Sequence, residues 1–398
     1  MNNFEINSIL MIPPPIVIVA IVLKMPSIPG ITLGLLSAAV LAVVYQDASF
    51  GEICASAKDG FVCETGVKAV DDLLSNGGLM NMSSSILMTI IAMMFGDIME
   101  GTGQLEVIIN RLMRFIKSGV QYGPKTLIEN NLSKVLTKTN FVEEMVTIDV
   151  PFTSEEEIYR DKKDAKYLRS VVEGNERLAQ EVNRTISQDM FPLVIGGSHS
   201  LGLGSIAGVS KAFGNENLGV FWVDAHGDFN SDETSPSGNI HGMPLAASAG
   251  IGMKELTDLY FDGVKVKPEN VFIIGSRDIN PGEKILIEKA GVHFYSTEQI
   301  LKRGAREVTL EALEAVKAAK IENLHLSFDI DIMDPEIIPG TGTRVPNGVS
   351  EHEAVAILET IFASGLVRSM DFAEFNPKLD KCDKTLDSCI RILDHIFN

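Results

Sequence analysis

The chain has 398 residues, and its 53 Asp and Glu against 34 Lys and Arg give a formal net charge of −19. So acidic a balance argues against a nucleic-acid binder, which presents a basic face, and against general adhesion to anionic lipid. The length is that of about two domains. The four cysteines show no C-x-x-C spacing, so they indicate neither a zinc site nor a disulfide framework.

Apolar residues are concentrated in the first 118 positions, which hold ten of the sixteen methionines and a net charge of only −4. Three apolar stretches cover residues 9–23, 28–45 and 79–95, and the prolines at 13–15 interrupt the first. A run of about 18 uncharged apolar residues is long enough to cross a bilayer. The pattern therefore predicts two or three transmembrane helices within residues 9–100, with buried helices of a soluble core as the alternative.

Basic residues predict the orientation of such helices, because cytoplasmic loops carry an excess of Lys and Arg. Lys24 follows the first stretch, the loop over 47–78 is mostly acidic, and three further basic residues lie at 111–117. The rule places Lys24 and everything after residue 104 in the cytoplasm. Apolar residues over 105–116 recur at helical spacing, which indicates an amphipathic helix on the membrane surface or a truncated span. Without insertion, the whole chain would be cytoplasmic.

Three short motifs in this part resemble a known family. They are Lys-Met-Pro at 24–26, Gly-Gly-Leu at 77–79 and Gly-Asp-Ile-Met-Glu-Gly-Thr-Gly at 96–103. Residues 5–118 resemble the start of sodium–proton antiporters of the NhaC type. Such transporters have many more spans and bind at the midplane between repeats. Two or three spans do not build that path, so the resemblance implies a membrane-spanning, antiporter-like fragment over 1–118, with the lipid bilayer as its partner.

After residue 118 the pattern changes to apolar, strand-like runs separated by helical ones. The predicted strands cover 191–195, 218–223, 270–274 and 323–328. Helical patterns such as those over 165–189 and 306–320 lie between them. This alternation predicts an α/β fold in which helices cover a parallel sheet. In such sheets, ligands bind at the carboxyl ends of the strands.

Acidic residues and histidines follow three of these predicted strands. Because residues i, i+2 and i+4 of a strand point to one face, the members of each group are expected to converge. Four carboxylates packed together repel one another unless cations are present. A set of carboxylates and imidazoles favours a hard ion such as Mn²⁺, and its size suits two ions. Each Asp alone would be read as a turn or cap residue. The candidate ligands are His199, Asp224, His226, Asp228, Asp329 and Asp331.

Together these residues resemble the arginase, or ureohydrolase, family over residues 119–398. The motifs are Gly-Gly-x-His at 196–199, Asp-Ala-His-x-Asp at 224–228, Ser-Pro-Ser-Gly-Asn-Ile-His-Gly at 235–242 and Ser-Phe-Asp-Ile-Asp-Ile-Met-Asp-Pro at 327–335. The resemblance implies an arginase-like three-layer fold with a mostly parallel sheet and two Mn²⁺ per subunit. The implied reaction cleaves L-arginine to ornithine and urea by metal-activated hydroxide, in a chain that forms homo-oligomers as many family members do.

The resemblance also implies a role for each site residue. One metal would be held by His199, Asp224, Asp228 and Asp329, and the other by His226, Asp224, Asp329 and Asp331. The implied catalytic residues are His241 as a proton shuttle, Asp228 as the proton carrier to the leaving amine, and Glu374 as the partner of the guanidinium. The implied contacts to the amino-acid end of the substrate are Asn230, Ser235, Ser237 and Asn280.

Three departures from the family pattern leave alternatives open. Ser198 and Asn280 stand where the family usually has Asp, and Asn280 attracts a substrate ammonium less strongly than a carboxylate would. The family's first strand, which precedes the loop at 119–124, is missing; either residues 107–116 replace it, or the sheet closes over the gap, or the domain is damaged. The alternatives to an arginase are therefore a non-catalytic fusion remnant and a ureohydrolase acting on another guanidino compound, such as agmatine.

Overall fold

The computed structural model describes residues 8–23, 25–80, 83, 87, 119–138, 142, 144–150 and 164–398. The chain separates into two units, Met1–Ile116 and Lys117–Asn398. The predicted third apolar helix over 79–95 lies almost entirely outside the described residues. So do the amphipathic segment over 105–116 and the basic residues at 24 and 111–117.

In the N-terminal unit, the three prolines begin a helix rather than interrupt one. Helix α1 spans Pro13–Val22 and follows a 3₁₀ turn at Ser8–Met11. Proline is well tolerated in the first turn of a helix, because the amide hydrogens there have no partner within the helix. The first apolar stretch is therefore a helix of 10 residues, which at about 1.5 Å per residue is too short to cross a bilayer.

The second apolar stretch is helical as expected. Helix α2 spans Ser27–Gln46 and has 20 residues, about 30 Å. Within it, Ile28–Gln46 is long and apolar enough to cross a membrane, and only 11 % of that window is buried. Glycines let α2 approach α1 closely: a Cβ on Gly34 would lie 2.3 Å from the Val17 side chain. Close packing at small residues is typical of membrane helices.

The rest of the described N-terminal unit consists of short elements. Ser49 and Glu52 form a reciprocal capping box at the start of the next helix. Two two-residue strands then pair in an antiparallel arrangement. The elements are helix α3 (Phe50–Asp59), strand β1 (Gly60–Phe61), helix α4 (Lys68–Leu74) and strand β2 (Asn76–Gly77).

The C-terminal unit is built on a parallel sheet, as the sequence pattern predicts. Among the described residues the sheet has six strands in the order β3-β8-β7-β4-β5-β6, and every pair is parallel. The strands are β3 (Leu193–Ile195), β4 (Leu218–Val223), β5 (Val271–Ser276), β6 (His293–Ser296), β7 (Asn323–Asp329) and β8 (Val367–Ala373). All four predicted strands are present, with ends shifted by at most two residues.

Helices cover both faces of this sheet. They are α5 (Gly123–Leu127), α6 (Ser133–Thr137), α7 (Leu168–Ser187), α8 (Gly202–Phe213), α9 (Pro244–Ser248), α10 (Lys254–Thr257), α11 (Pro281–Ala290), α12 (Thr297–Arg303), α13 (Ala305–Ala318), α14 (Glu351–Phe362) and α15 (Lys384–Phe397). A π-helical turn at Ile128–Leu132 joins α5 to α6. Short 3₁₀ turns cover Val120–Tyr122, His199–Leu201, Ile240–Gly242, Pro268–Asn270 and Ile330–Ile332.

The two faces of the central strands pack into different hydrophobic clusters. On β4, Phe221 and Val223 belong to one cluster, whereas Val220 and Trp222 belong to another. Strand β4 is buried along its whole length, which explains its continuous apolar sequence. The sheet is thus the middle layer of three, and its buried frame holds the carboxyl ends of β3, β4 and β7 in fixed positions.

Strand β3 stands at one end of the described sheet, close to the loop at 119–124 that the missing first strand of the family would precede. It pairs with β8 on one side, the described residues place no strand on its other side, and its three residues are half-buried. The turn at Val120–Tyr122 lies next to the carboxyl end of β3, since a Cβ on Gly197 would be 2.7 Å from the Val120 carbonyl oxygen. A replacement strand over 107–116 would lie outside the described residues and stays a prediction.

Candidate active site

The acidic residues after β4 converge on a segment whose first residues continue the pairing of the strand and whose last residue has a left-handed backbone. Strand β4 ends at Val223, but backbone pairing continues: the Asp224 amide donates to the Ile274 carbonyl at 3.1 Å, and His226 forms an isolated parallel bridge with Asp278. Asp228 has a φ of 48°, in the left-handed region that non-glycine residues seldom occupy. Asp224 and His226 lie side by side, as expected of residues i and i+2 of a strand, with 3.2 Å between Asp224 Oδ1 and His226 Nδ1, whereas the backbone of Asp228 departs from strand geometry. The Asp228 carboxylate still reaches the site, where its Oδ2 lies 3.5 Å from His199 Nδ1.

One cluster forms around the ring of His199. Its Nδ1 lies 2.8 Å from Asp224 Oδ2, 3.2 Å from Asp329 Oδ2 and 3.5 Å from Asp228 Oδ2. The ring stacks on Trp222 with centroids 3.9 Å apart. These residues come from the turn after β3, the turn after β4 and the end of β7, and all of them are buried.

A second cluster forms around His226. Its Nδ1 lies 3.2 Å from Asp224 Oδ1 and 3.2 Å from Asp331 Oδ2. Asp224 thus directs one carboxylate oxygen toward each histidine, which is the arrangement required of a carboxylate that bridges two ions. The ligand atoms of His199, Asp224 and Asp329 lie within 4.8 Å of one another, and so do those of Asp224, His226 and Asp331.

Hydrogen bonds from neighbouring groups orient the carboxylates. The amide of Asp331 donates to Asp329 Oδ1 at 2.8 Å, and the Trp222 indole donates to Asp224 Oδ2 at 3.1 Å. The hydroxyl of Thr343 donates to Asp331 Oδ2 at 3.0 Å. Thr343 was not among the residues selected from the sequence, although it closes the Pro-Gly-Thr-Gly-Thr run at 339–343.

The buried carboxylates of the site repel one another unless positive charge lies between them. Burial, followed by repulsion from neighbouring carboxylates, raises the pKa of Asp228, Asp329 and Asp331. Burial alone would lower the pKa of His199 and His226, but their hydrogen bonds to the carboxylates outweigh it and raise both values. Bound protons or cations would both offset the repulsion among these carboxylates. Buried oxygen and imidazole ligands without thiolates fit hard divalent ions, so the residues present fit a metal pair.

His241 lies on the 3₁₀ turn Ile240–Gly242 and is half-buried. Burial is the main cause that lowers its pKa to about 4, and the neighbouring His226 lowers it further. Glu374 follows β8 with a φ of 69° and accepts a hydrogen bond from the His199 amide at 2.8 Å. Burial raises the pKa of Glu374 to about 7. Both residues therefore lie in the electrostatic field of the two clusters.

The predicted substrate contacts lie on the loop after Asp228. Asn230 Oδ1 accepts from the Thr234 hydroxyl at 3.1 Å and from Asn280 Nδ2 at 2.9 Å. The hydroxyls of Ser235 and Ser237 accept from backbone amides of the same loop, at 3.0 and 3.2 Å. The Asn230 side chain also donates to the Glu283 carboxylate, so Asn230, Asn280 and Glu283 form one polar network beside this loop.

Asn280 has a structural role that the sequence reasoning missed. It is the N-cap of α11, and its Oδ1 accepts from the Glu283 amide at 3.0 Å. Glu283 was also missed: it is buried, accepts from the Phe229 amide at 2.9 Å and lies within 3.2 Å of Asn280 Nδ2. The Asn-x-x-Glu spacing before a helix is the signal that would have found it. Ser198 caps the 3₁₀ turn at His199–Leu201 through its hydroxyl.

The model of the Arginase family matches residues 113–397. The chain belongs to the arginase family. The arginase of Bacillus subtilis (strain 168) is 40 % identical over 281 residues, which cover 71 % of this chain and 93 % of that protein. The arginase of Staphylococcus aureus (strain MSSA476) is 38 % identical over 282 residues, covering 71 % and 92 %. Residues from the turn at 120 onward are thus an arginase-type hydrolase, in a family of metalloenzymes.

Solved arginase structures share the fold of this family member. The Bacillus subtilis arginase matches with a TM-score of 0.64 at 40 % identity, over 70 % of this chain and 91 % of that one. The Bacillus caldovelox arginase matches with a TM-score of 0.67 at 36 % identity, over 70 % and 93 %. An Entamoeba histolytica arginase in complex with L-ornithine matches with a TM-score of 0.65 at 34 % identity, over 71 % and 94 %.

The arginase part is joined to a second family. The model of the Na+/H+ antiporter family matches residues 2–128, so the two matches overlap at residues 113–128. The fused arrangement predicted from the sequence is confirmed. This match and the apolar helix α2 associate the N-terminal part with a membrane.

Proposed function

We propose that residues 119–398 hydrolyse L-arginine to L-ornithine and urea with two Mn²⁺ ions. The observation that carries the proposal is the pair of histidine–carboxylate clusters that share Asp224. The arginase from Entamoeba histolytica, solved with L-ornithine, supports the identity of the product. The domain proposed for this reaction begins at residue 119, and residues 1–118 form the membrane fragment.

The ligand assignment follows the two clusters. His199, Asp224, Asp228 and Asp329 would hold one ion, and His226, Asp224, Asp329 and Asp331 the other. When bound, two such ions lower the pKa of a water that they share, so that hydroxide is available near neutral pH. The chain's own contribution is to bury these ligands and to fix their direction through the amide of Asp331 and the indole of Trp222.

The remaining residues bind the substrate and move protons. The Glu374 carboxylate pairs with the guanidinium and orients its carbon toward Asp228. As the C–O bond forms and the C–N bond breaks, Asp228 accepts the proton from the attacking water and delivers it to the leaving amine. His241, half-exposed at the rim, exchanges protons with solvent. The amides and hydroxyls of Asn230, Ser235 and Ser237 bind the α-carboxylate, and Asn280 lies beside the α-ammonium.

A urea assay on the purified, manganese-loaded full chain tests this function. Wild type should release urea from L-arginine, and His226→Ala should lower kcat by more than about 100-fold, the upper end of the loss when an outer partner of a metal ligand is removed. His395→Ala is the matched control, because His395 is an exposed histidine paired with Glu359 on the surface. Absence of urea release by the loaded wild type would contradict the proposal and favour a non-catalytic remnant.

A second candidate substrate is another guanidino compound. The observation that favours it is Asn280, whose amide group is engaged by Asn230 and Glu283 and carries no charge to attract an α-ammonium. Comparison of kcat/KM for L-arginine, agmatine and guanidinobutyrate decides between the two. A higher kcat/KM for agmatine or guanidinobutyrate would identify that compound, and not L-arginine, as the preferred substrate.

We also propose that the N-terminal unit tethers the enzyme to a bilayer with the arginase part in the cytoplasm. The antiporter-family match and the exposed apolar surface of α2 support this arrangement. The full chain should float with lipid vesicles in a density gradient, and Leu35→Lys together with Leu36→Lys should reduce flotation. In whole cells, externally added protease should leave the arginase part intact, and its cleavage would contradict the orientation. Homo-oligomer formation is a further expectation, tested by light scattering in detergent.

A further inference from the structure

A chain of buried hydrogen bonds runs away from the active site beneath His199. Its members lie on the neighbouring strands β7 and β8, where His325 pairs in register with Ser369, and Ser327 with Asp371. Because side chains two residues apart on a strand share a face, these four polar groups meet inside the sheet layer. All of them are at most 1 % exposed.

The contacts determine which group donates and which accepts along this chain of hydrogen bonds. The Ser327 hydroxyl donates to Asp371 Oδ2 at 3.2 Å, so its one hydrogen is used. His199 Nε2 lies 2.8 Å from the same hydroxyl oxygen. Since that oxygen has only lone pairs left, His199 must carry its proton on Nε2 and donate it to Ser327. Nδ1 lies 2.8 Å from Asp224 Oδ2 and 3.2 Å from Asp329 Oδ2, so the proton on Nδ1 is the one that a metal ion would displace, and the proton on Nε2 is the one that His199 would keep.

Asp371 is the acceptor that fixes this direction. Its Oδ2 also lies 3.1 Å from His325 Nε2, and His325 Nδ1 lies 2.8 Å from the Ser369 hydroxyl. Its other oxygen, Oδ1, is buried without a hydrogen-bond partner among the described residues. A buried carboxylate with one bare oxygen is costly. A Leu would fill the same space without that penalty, so packing alone does not account for an Asp here.

We propose that Asp371, supported by His325, is a positioning residue that acts through Ser327 to hold His199 in the tautomer that binds metal. The inference rests on the proposed manganese site. It assigns Asp371 no contact with the substrate or the ions. Its effect is to hold the remaining ring proton of His199 on Nε2 once the proton on Nδ1 is displaced, so that Nδ1 offers the lone pair that a metal ligand needs.

Removing the Asp371 carboxylate, which accepts the hydrogen bond from Ser327, should leave the Ser327 hydroxyl free to rotate. It can then donate to His199 Nε2, which leaves the ring proton on Nδ1 among the carboxylates and blocks the ligand position. Asp371→Leu removes the acceptor, whereas Asp371→Asn keeps an acceptor oxygen and loses only the charge. The expected order of Mn²⁺ affinity is therefore wild type, then Asn, then Leu.

The experiment is a Mn²⁺ titration of the metal-free full chain, followed by calorimetry and by electron paramagnetic resonance. Wild type should bind two Mn²⁺ and show a spin-coupled pair. Asp371→Leu should weaken one of the two sites by about 10- to 100-fold, the usual cost of losing an outer partner of a metal ligand. The coupled signal should give way to that of single ions. Ser369→Ala, which removes a buried hydrogen bond at the far end of the chain, should leave both affinities unchanged.

A double-mutant cycle separates this role from a merely structural one. In a Ser327→Ala background Asp371 has no route to His199, so Asp371→Leu should cause no further loss of affinity. Equal losses in both backgrounds, or unchanged binding by Asp371→Leu, would overturn the inference. Failure of wild type to bind two Mn²⁺ would instead overturn the proposed function.

If Asp371→Leu does not fold, an isosteric pair at Ser327 gives the answer. Ser327→Thr keeps the hydroxyl and should keep both sites, whereas Ser327→Val has the same shape without it and should lose one. Equal Mn²⁺ affinities of these two variants would overturn the inference.

Discussion

Both parts of the chain are rich in apolar residues, but helix α2 of the N-terminal part exposes them and the sheet of the arginase part buries them. In helix α2, Leu35 and Leu36 are 65 % and 58 % exposed. In the sheet of the arginase part, Phe221 and Leu326 are completely buried. Large contiguous apolar surfaces on a folded chain mark sites that contact a membrane or another protein. The exposed apolar residues of the N-terminal part therefore need a partner outside the chain, such as a bilayer or another protein. The apolar residues of the arginase part pack against one another.

The difference also explains where charge can be buried. Five of the six candidate ligands and the pair His325–Asp371 are buried in the arginase part, because strands packed on both faces exclude water and hold each partner in place. Pairing is what makes such burial tolerable. The described N-terminal helices contain long uncharged runs and bury no comparable cluster.

The largest expected effect compares the same substitution in the two parts. Leu326→Ala should lower the free energy of unfolding by about 2–5 kcal/mol, because it leaves a cavity in the core of the sheet. Leu36→Ala, at an exposed position of α2, should change it by no more than about 0.5 kcal/mol. Urea unfolding of the full chain in detergent, followed by the fluorescence of Trp222 and by circular dichroism, measures both. An equally large loss for Leu36→Ala would show that α2 is packed against protein.

A second prediction concerns pH and the metal-free chain. The strongly raised pKa values of Asp228, Asp329, His199 and His226 mean that the folded state keeps protons that the unfolded state releases. Stability should therefore fall as pH rises from 6.5 to 8, by about 1.4 kcal/mol per pH unit for each such proton. Above pH 8 the lowered pKa of Lys265, about 8, has the opposite effect.

Thermal melting with a chelator, across this pH range, checks the prediction. Mn²⁺ should raise the melting temperature most at pH 8, where it replaces the lost protons. The helical signal of the N-terminal part should not follow pH in the same way. A metal-free melting temperature that rises steadily from pH 6.5 to 8 would contradict the assignment of the buried cluster.

The smallest expected effect lies at the edge of the active site. Asn280→Asp keeps the cap on α11 and adds a charge near the α-ammonium position. It should improve kcat/KM for L-arginine by about 10-fold, the size of a charge-assisted hydrogen bond of roughly 1.4 kcal/mol. Repulsion from the nearby Glu283 limits the gain. Steady-state kinetics with arginine and agmatine measure it, and an equal gain for both substrates would place the charge away from the α-ammonium.

Much of the fold was predictable because its signals are local. The runs that form β4 and β7 are apolar, lie between helical patterns and end in acidic residues, so strand, sheet type and site edge follow from the pattern. The prediction that Pro13–Pro15 interrupt the first apolar stretch was wrong, because proline breaks a helix in its interior but is tolerated in its first turn. The turn at Asp228 and the cap at Asn280 depend on contacts with residues far away in sequence, which periodicity does not contain.

The sequence by itself determined the order of the elements, the ligand residues proposed for the metals and the division into an apolar and an acidic part, because these depend on residue type and spacing along the chain. Only the tertiary structure decided that Asp224 faces both histidines, that Glu283 reaches the loop after β4 and that Asp371 lies behind Ser327. Apart from the contact between Asp224 and the nearby His226, those contacts arise from strand register and burial, which bring together residues separated by 25 to 54 positions along the chain.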